Sequence, residues 1–488
     1  MNTPIMLIVL PLLTAFVLGL ANLFSKNLIR SIALTSAAVH IFLVGKVARR
    51  VLEEPIIYKL GEWDSFLGIN LVIDSLSLMM ALLISIISFL VLIYSLYYIK
   101  RHKLKYYIIL NLLIAGMMGM VLTGDLFNLY VFFEIVSVTS YALVAIKDEG
   151  DCFEGAFKYL VMGSISGTFV LLAIILTYQT TGALNLAHVA ANFMEVPFAI
   201  RQTIFVFFFI GFGTKFALVP LHAWMPDAYS EAVTPFNAIS SALVIKTSLY
   251  AFMRIVYTLY GIDFINGDIG TLLIYWGVIT FLVAHISAYK QDNLKRLFAY
   301  SSIAQIGYIM LGIGVGTENG IIAANFHIFN HGIIKSVLFL VLGIFIYTKG
   351  VTKIEDIKGL GFAMPKISFA FTLATLAMVG LPPFNGFISK WLILYSSLEG
   401  GYSLAAFFVL IGSLISLAYY LRIIKVLYSK GEAIEVQKVS WTFKFPIFVL
   451  TISSLLVGIF PQPLLSLIEQ ATFFLSNNTE YINLLLGG

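Results

Sequence analysis

Five ionisable residues lie deep inside long apolar runs: Glu134, Lys215, Lys246, Lys335 and Lys390. A charge at the centre of a bilayer costs about 2.5–3.5 kcal/mol on insertion scales. Such groups persist only with partners, water or neutralisation. Lysine is an informative choice, because arginine stays charged at every accessible pH whereas a desolvated lysine can give up its proton. A glutamate beside such a lysine would make a two-state proton site. The competing reading is structural, with ion pairs or side chains that reach towards the interface. For Lys215 and Lys390 that reach is long, since both stand near the middle of their runs.

Histidines extend the pattern. His327, His331 and Lys335 recur at i, i+4 and i+8, which on a helix gives one slowly drifting stripe. Titratable groups about 6 Å apart along such a stripe suit a proton relay. They also suit plain hydrogen bonding, and two histidines at i, i+4 can hold a metal. The glutamate of a zinc-protease motif is missing, because the residues between them are Ile328, Phe329 and Asn330. His285 stands alone in its run, where structural use is at least as expected, and His40 reads as structural.

Two of the charged runs are interrupted. One reads Lys215–Phe216–Ala217–Leu218–Val219–Pro220–Leu221–His222–Ala223–Trp224–Met225–Pro226–Asp227, the other Gly380–Leu381–Pro382–Pro383–Phe384–Asn385–Gly386, followed by Ser389–Lys390–Trp391. Proline removes a helical hydrogen bond, so both helices break, and the freed carbonyls can hold water, an ion or an ammonium. A pair of interrupted helices in two halves of a chain points to a transport site between inverted repeats.

The elements that position these residues are membrane helices. The 488 residues are 60% hydrophobic and 11% charged, against about 25% charged in a soluble domain. A soluble enzyme is excluded. The single cysteine, Cys152, excludes a disulfide framework and thiolate-held iron–sulfur clusters on this chain. Fourteen apolar runs are long enough to span, near 3–22, 28–48, 71–98, 106–123, 126–146, 155–178, 202–221, 235–257, 270–289, 297–316, 320–347, 367–396, 402–428 and 446–465. The first has no basic residue before it and no clear cleavage site, so it reads as a retained span.

Of 30 basic residues, twenty (Lys26 and Arg30 first among them) fall in loops after odd-numbered spans. Six fall after even ones, with Arg254 near a helix end. The remaining four are the buried lysines. The net charge of +5 is thus a topology signal rather than a nucleic-acid footprint, and it predicts odd loops in the cytoplasm and both termini outside. Gly361 and the Gly211–Phe212–Gly213 pair lie in or beside apolar helices, where close packing is the expected use.

The run from Lys215 to Tyr229, its continuation through Thr234–Pro235 to Lys246, the stretch Asn293–Tyr308, the His327/His331/Lys335 helix and Gly380–Leu381–Pro382–Pro383 up to Lys390 together resemble the antiporter-like membrane subunits. These occur in Mrp-type cation/proton antiporters, respiratory complex I and membrane-bound hydrogenases. The likeness covers about 70–430 and implies an all-α polytopic fold of about fourteen transmembrane helices. It implies N-terminal spans in 1–105, inverted five-helix repeats in 106–257 and 270–428, broken helices at spans seven and twelve, and a last span and tail in 429–488.

The resemblance further implies that Glu134 pairs with Lys215, that Lys246 bridges to the second half, and that His327, His331, Lys335 and Lys390 complete a proton-transfer axis. Val233, where a proline is usual, and Ser248, where a glycine is common, depart from the pattern without touching a titrating group. The chain has the size of an Mrp D subunit or an inner pump subunit of complex I, and Phe329–Ser336 is similar to the wording of membrane-bound hydrogenases and their sulfur-reducing relatives.

The implied function is proton or Na⁺/H⁺ translocation in the cell membrane within a multi-subunit complex. The implied partners are small hydrophobic subunits, antiporter-like neighbours and a peripheral redox arm. No cofactor is expected on this chain, and iron–sulfur clusters, with or without nickel–iron, are expected on the partners. An Mrp-type exchanger without redox partners is the main alternative. A solute carrier and an inert scaffold fit the mid-membrane charges less well.

Overall fold

The computed structural model describes residues 3–25, 28–63, 68–430 and 438–486; Lys26 lies outside them. The chain begins with α1 (Thr3–Phe24) and α2 (Leu28–Val51), then a hairpin of β1 (Ile56–Lys59) and β2 (Asn70–Ile73), paired antiparallel with Ile56 opposite Ile73. This hairpin is an addition to the expected all-helical design. Then come α3 (Ser75–Tyr98), α4 (Lys103–Leu122), α5 (Leu126–Val144), α6 (Gly150–Thr181), the short α7 (Leu186–Phe193) and α8 (Phe198–Lys215). Beyond the first break lie α9 (Trp224–Glu231), α10 (Thr234–Ile239), α11 (Ile245–Phe264), α12 (Gly270–Tyr289), α13 (Leu294–Gly314) and α14 (Glu318–Lys349). The remainder is α15 (Leu360–Ala363), α16 (Pro365–Val379), α17 (Asn385–Glu399), α18 (Ser403–Leu427), α19 (Trp441–Ile459), α20 (Gln462–Ser476) and α21 (Asn478–Leu486).

Among the described residues, 12 helical stretches are long and apolar enough to span, or 13 with the pair Glu355–Ala363 and Pro365–Val379, bent by 118°. The expected count is higher for two physical reasons. The run Thr234–Tyr289 contains two spans, α10 with α11 and then α12, separated by non-helical backbone at Gly261, Asn266 and Gly267. Their directions are opposite. Tyr257, late in α11, donates to the Ile313 carbonyl, whereas Gly270 starts α12 against Gly314 and Gly277 lies against Gly307. The expected twelfth span is two pieces, α16 and α17, of 15 residues each.

Helix starts in an apolar medium need acceptors for their free N–H groups. Asp74, Asp125, Asn293 and Thr317 supply them to α3, α5, α13 and α14, each cap being worth about 1 kcal/mol. Close approach depends on glycine. A Cβ on Gly277 would stand 2.6 Å from the Gly307 carbonyl oxygen, so α12 and α13 touch backbone to backbone. Gly211 similarly lets α8 meet α6, where Ser166 donates to its carbonyl at 2.6 Å. The helices α13 and α14 are almost wholly enclosed, while α2 and α19 present residues such as Phe42 and Phe448 to the outside. This is the section expected of a multi-pass membrane protein.

Two polar clamps hold the bundle. Arg254, grouped by sequence with the loop charges, is buried in α11. It pairs with Asp74 at 2.6 Å, and the Tyr481 ring of α21 lies 5.5 Å from its guanidinium. The clamp therefore ties the C-terminal helices to the start of α3. At the other clamp, Asp227 on α9 takes Lys158 of α6 at 2.8 Å and Arg296 of α13 at 2.5 Å. Beside it the Lys295 amine caps α9, donating to the carbonyls of Ser230 (2.9 Å) and Ala232 (2.8 Å).

Partial burial works against the Asp227 carboxylate, but Lys158 and Arg296 outweigh it and hold this acid below its ordinary range. A depressed carboxylate stabilises the fold above its unfolded value of about 3.9, and that contribution is lost as pH falls through the folded value. Acidifying the purified protein from about pH 5 to about pH 3 should therefore lower its thermal midpoint more in the wild type than in Asp227→Asn. Asp74→Ala, which strands Arg254 without its partner, should cost about 3–5 kcal/mol, measured as a fall in denaturation midpoint.

Candidate functional site

The first lysine stands where its helix ends. Leu218 N–H donates to the Gly213 carbonyl at 2.8 Å, and Ala217 takes the left-handed conformation with φ of 60° that such a closure needs. For alanine this costs about 1 kcal/mol relative to glycine. The freed Thr214 carbonyl accepts from the Trp224 indole at 2.9 Å.

The Lys215 amine is thereby fixed in the interior. It donates to Ser137 Oγ at 2.7 Å and lies 5.0–5.4 Å from the rings of Tyr159, Tyr141 and Phe133. Glu134 is one turn before Ser137 on α5. Its carboxylate packs on Gly167 of α6, where a Cβ would stand 2.1 Å from Oε1. The expected Glu134–Lys215 pair is thus not a direct one. Among the described residues no ion pair joins them, and the Ser137 hydroxyl takes the ammonium.

Lys246 follows a π-helical turn over Ser240–Val244, and its amine donates to the Ser241 carbonyl at 2.8 Å. The Ser241 hydroxyl meets that of Ser302 on α13 at 2.9 Å, and Ser302 donates to the Phe298 carbonyl. That same carbonyl accepts from Lys335 at 2.9 Å, and Lys335 also donates to Ser301 Oγ at 3.0 Å. Lys246 and Lys335 therefore bond different carbonyls, with the Ser241–Ser302 hydroxyl pair beside them. No chain of hydrogen bonds joins Lys215 to Lys246 among the described residues; on the Lys215 side, Tyr159 and Trp224 stack at 3.9 Å.

The stripe on α14 divides. The rings of His327 and His331 lie parallel, 6.2 Å apart. His327 bonds Ser389 Oγ through Nδ1 (3.0 Å) and Gln305 Oε1 through Nε2 (3.1 Å), while neither nitrogen of His331 has a side-chain or backbone partner among the described residues. Both line a small cavity with Asn330, Gln305, Ser389 and Lys390, with room for one water molecule at most. Lys335 turns away to α13. No group of three His, Cys, Asp or Glu side chains converges among the described residues.

Lys390 sits early in α17 and reaches back to the break. Its amine donates to the Val379 carbonyl at 2.9 Å and to Ser413 Oγ at 3.3 Å, and lies 5.1 Å from the centre of the Tyr308 ring. Gly380, with φ of 93°, leaves room for its stem, since a Cβ there would stand 2.9 Å from Lys390 Cδ.

Sequence reasoning missed the oxygen partners: Ser137, Ser301, Gln305, Tyr308, Ser389 and Ser413. Hydroxyl residues in apolar helices carry no charge to mark them. It also gave His285 no company. His285 in fact bonds two tyrosine hydroxyls, Tyr419 through Nδ1 at 3.2 Å and Tyr308 through Nε2 at 3.1 Å.

Comparisons with known proteins accord with this arrangement. Residues 123–416 match the family described as NADH:quinone oxidoreductase/Mrp antiporter, TM, and residues 64–107 match the N-terminus of complex I chain 5. The chain is 35% identical over 443 residues to the NADH-quinone oxidoreductase subunit N of Desulforudis audaxviator, covering 88% of this chain and 87% of that one. A Staphylococcus aureus protein named as an antiporter subunit (mnhD2) is 31% identical, with 97% of each chain covered. A chain in the structure of the membrane-bound sulfane sulfur reductase, an archaeal respiratory membrane complex, superposes with a TM-score of 0.95 at 33% identity over 100% of both chains. The chain is a member of the NADH:quinone oxidoreductase/Mrp antiporter family of membrane subunits.

Proposed function

We propose that this chain is an ion-translocating subunit of a multi-subunit membrane complex, moving protons along an axis of Glu134, Lys215, Lys246, His327, His331, Lys335 and Lys390. One observation carries the reading. Among the described residues, Lys215, Lys246, Lys335 and Lys390 hydrogen-bond only to neutral oxygens, so the charge state of each is set by the mobile proton and its charged neighbours rather than by a directly bonded counter-ion. Like charges in such an interior repel, the more strongly the closer they stand and the lower the local dielectric constant. Carrying one charge against 100 mV costs about 2.3 kcal/mol. A proton arriving at one lysine can therefore drive its neighbour's proton onward.

The inverted repeats, in 106–257 and 270–428, are supported by the two breaks. Leu381 N–H donates to the Leu376 carbonyl as Leu218 does to Gly213, each around a left-handed residue, Gly380 or Ala217. Lys215 ends the piece before its break, and Lys390 reaches its own break from the piece after.

The complex is proposed to lie in the cell membrane with both chain termini outside, as the loop charges favour. A peripheral redox arm of the membrane-bound hydrogenase or complex I type is the preferred driver, on the strength of the full-length likeness to the sulfane sulfur reductase chain. Its iron–sulfur clusters, with or without nickel–iron, would sit on partner subunits, alongside small hydrophobic and antiporter-like neighbours. An Mrp-type Na⁺/H⁺ exchanger without redox partners is the second reading, favoured by the 97% coverage of the antiporter relative.

Gentle purification with partner identification and iron and nickel analysis separates the two. Peripheral iron–sulfur chains support the first, and only small hydrophobic partners without metal support the second. In sealed vesicles with a pH-sensitive dye, Lys215→Ala and Lys390→Ala should each slow translocation by about tenfold or more, equivalent to about 1.4 kcal/mol, in complexes that assemble normally. Wild-type rates in both variants would overturn the proposed axis.

A further inference from the structure

We propose that His285 is the central carrier of a side-chain proton wire that joins Lys335 to Lys390 without passing through His327 or His331. The proposal rests on the translocation reading above and adds a residue and a route to it.

The links are hydrogen bonds except at two steps, Tyr419 to the Ser301–Tyr420 pair and Tyr308 to Ser413, where neighbouring hydroxyls must turn towards each other to close the wire. The Lys335 amine donates to Ser301 Oγ at 3.0 Å, and Ser301 Oγ meets the Tyr420 hydroxyl at 2.6 Å. The Tyr419 hydroxyl adjoins both of these and bonds His285 Nδ1 at 3.2 Å. His285 Nε2 bonds the Tyr308 hydroxyl at 3.1 Å, and Tyr308 adjoins Ser413, which accepts from Lys390 at 3.3 Å. His285, Tyr308, Tyr419, Tyr420 and Ser301 are completely buried. A Cβ on Gly412 would stand 2.3 Å from the Tyr308 oxygen, so glycine there keeps the hydroxyl's place open.

The partners distinguish this histidine from a structural one. His40 bonds the Leu7 backbone carbonyl at 3.0 Å, and a carbonyl can only accept, which fixes the tautomer. Both partners of His285 are hydroxyls, and a hydroxyl both donates and accepts. The imidazole can therefore receive on one nitrogen and release from the other.

One passage runs as follows. The Lys335 ammonium loses a proton to Ser301 as each hydroxyl in turn passes its own forward, and the last forms an N–H bond at His285 Nδ1. The N–H bond at Nε2 breaks, its proton goes to Tyr308, and through Ser413 a proton reaches the neutral amine of Lys390. One N–H bond is lost at Lys335 and one is gained at Lys390. His285 ends neutral in its other tautomer, and the ring and hydroxyls must turn back before the next proton passes.

The test uses the native complex in vesicles. His285→Gln keeps a donor and an acceptor between the tyrosines but cannot exchange a proton between them. It should slow translocation by tenfold or more with assembly and thermal midpoint unchanged. Tyr308→Phe should do the same, and the double variant should be no slower than the slower single. Isotope-edited infrared difference spectra of histidine-labelled complex should show tautomer bands on energisation that vanish in His285→Gln, a readout that a purely structural histidine would not move. Assembled His285→Gln and Tyr308→Phe complexes that translocate at the wild-type rate would overturn the wire. Lys335→Ala and Lys390→Ala are measured alongside. If these lose translocation while the wire variants keep it, the wire alone fails. If they keep it too, the underlying translocation reading fails with it.

Discussion

An ammonium in an apolar interior must find oxygen, and much of this structure is arranged to supply it. Regular helices offer only the second lone pair of carbonyls that already accept from their own N–H groups. The fold departs from regular helix at two of the places where amines need acceptors, those of Lys246 and Lys390. The end of α16 frees the Val379 carbonyl for Lys390, the Ser241 carbonyl that receives Lys246 lies within a π-helical turn, and Lys335 shares the Phe298 carbonyl of α13 with Ser302. Lys215 is the exception, because Trp224 takes its neighbouring carbonyl and a serine on α5 accepts the amine.

This choice of partners has an electrostatic meaning. Arg254 is equally buried, yet it faces Asp74 at 2.6 Å, and a buried charge with a carboxylate that close is held in place. The lysines meet carbonyls, serines and aromatic faces instead. Within one bundle, then, the arginine clamps helices together while the lysines keep a variable charge. The two uses are told apart by the sign of what each cation touches.

Much of this was legible in the sequence, for a definite reason. A Lys or Glu inside twenty apolar residues is expensive and stands out, as do Pro220 and Pro382–Pro383 inside helices. The spacing of His327 and His331 correctly put their rings on one face. What stayed hidden has equally definite causes. Ser240–Val244 contains neither glycine nor proline, so nothing marks its π-helical turn. Serine and tyrosine cost little in an apolar helix, so Ser301, Tyr308 and Tyr419 carried no signal until neighbouring helices brought them to Lys335 and His285. Lys335 left its expected stripe because α13 offered it two oxygens. Arg254 was grouped with loop charges because its partner lies 180 residues away in the chain.

The glycine seam between α12 and α13 has a mechanical consequence. With Gly277 against Gly307 and Gly270 against Gly314, backbone meets backbone and the two helices form a single stiff beam. His285 and Tyr308 both ride on that beam, so the spacing between them is fixed. Tyr419 and Ser413 ride instead on α18, whose outer residues Leu410 and Leu414 are more than half exposed. A displacement of α18 against that beam would change the Tyr419–His285 and Tyr308–Ser413 separations together while the His285–Tyr308 spacing holds, in the manner of a two-pole isolator.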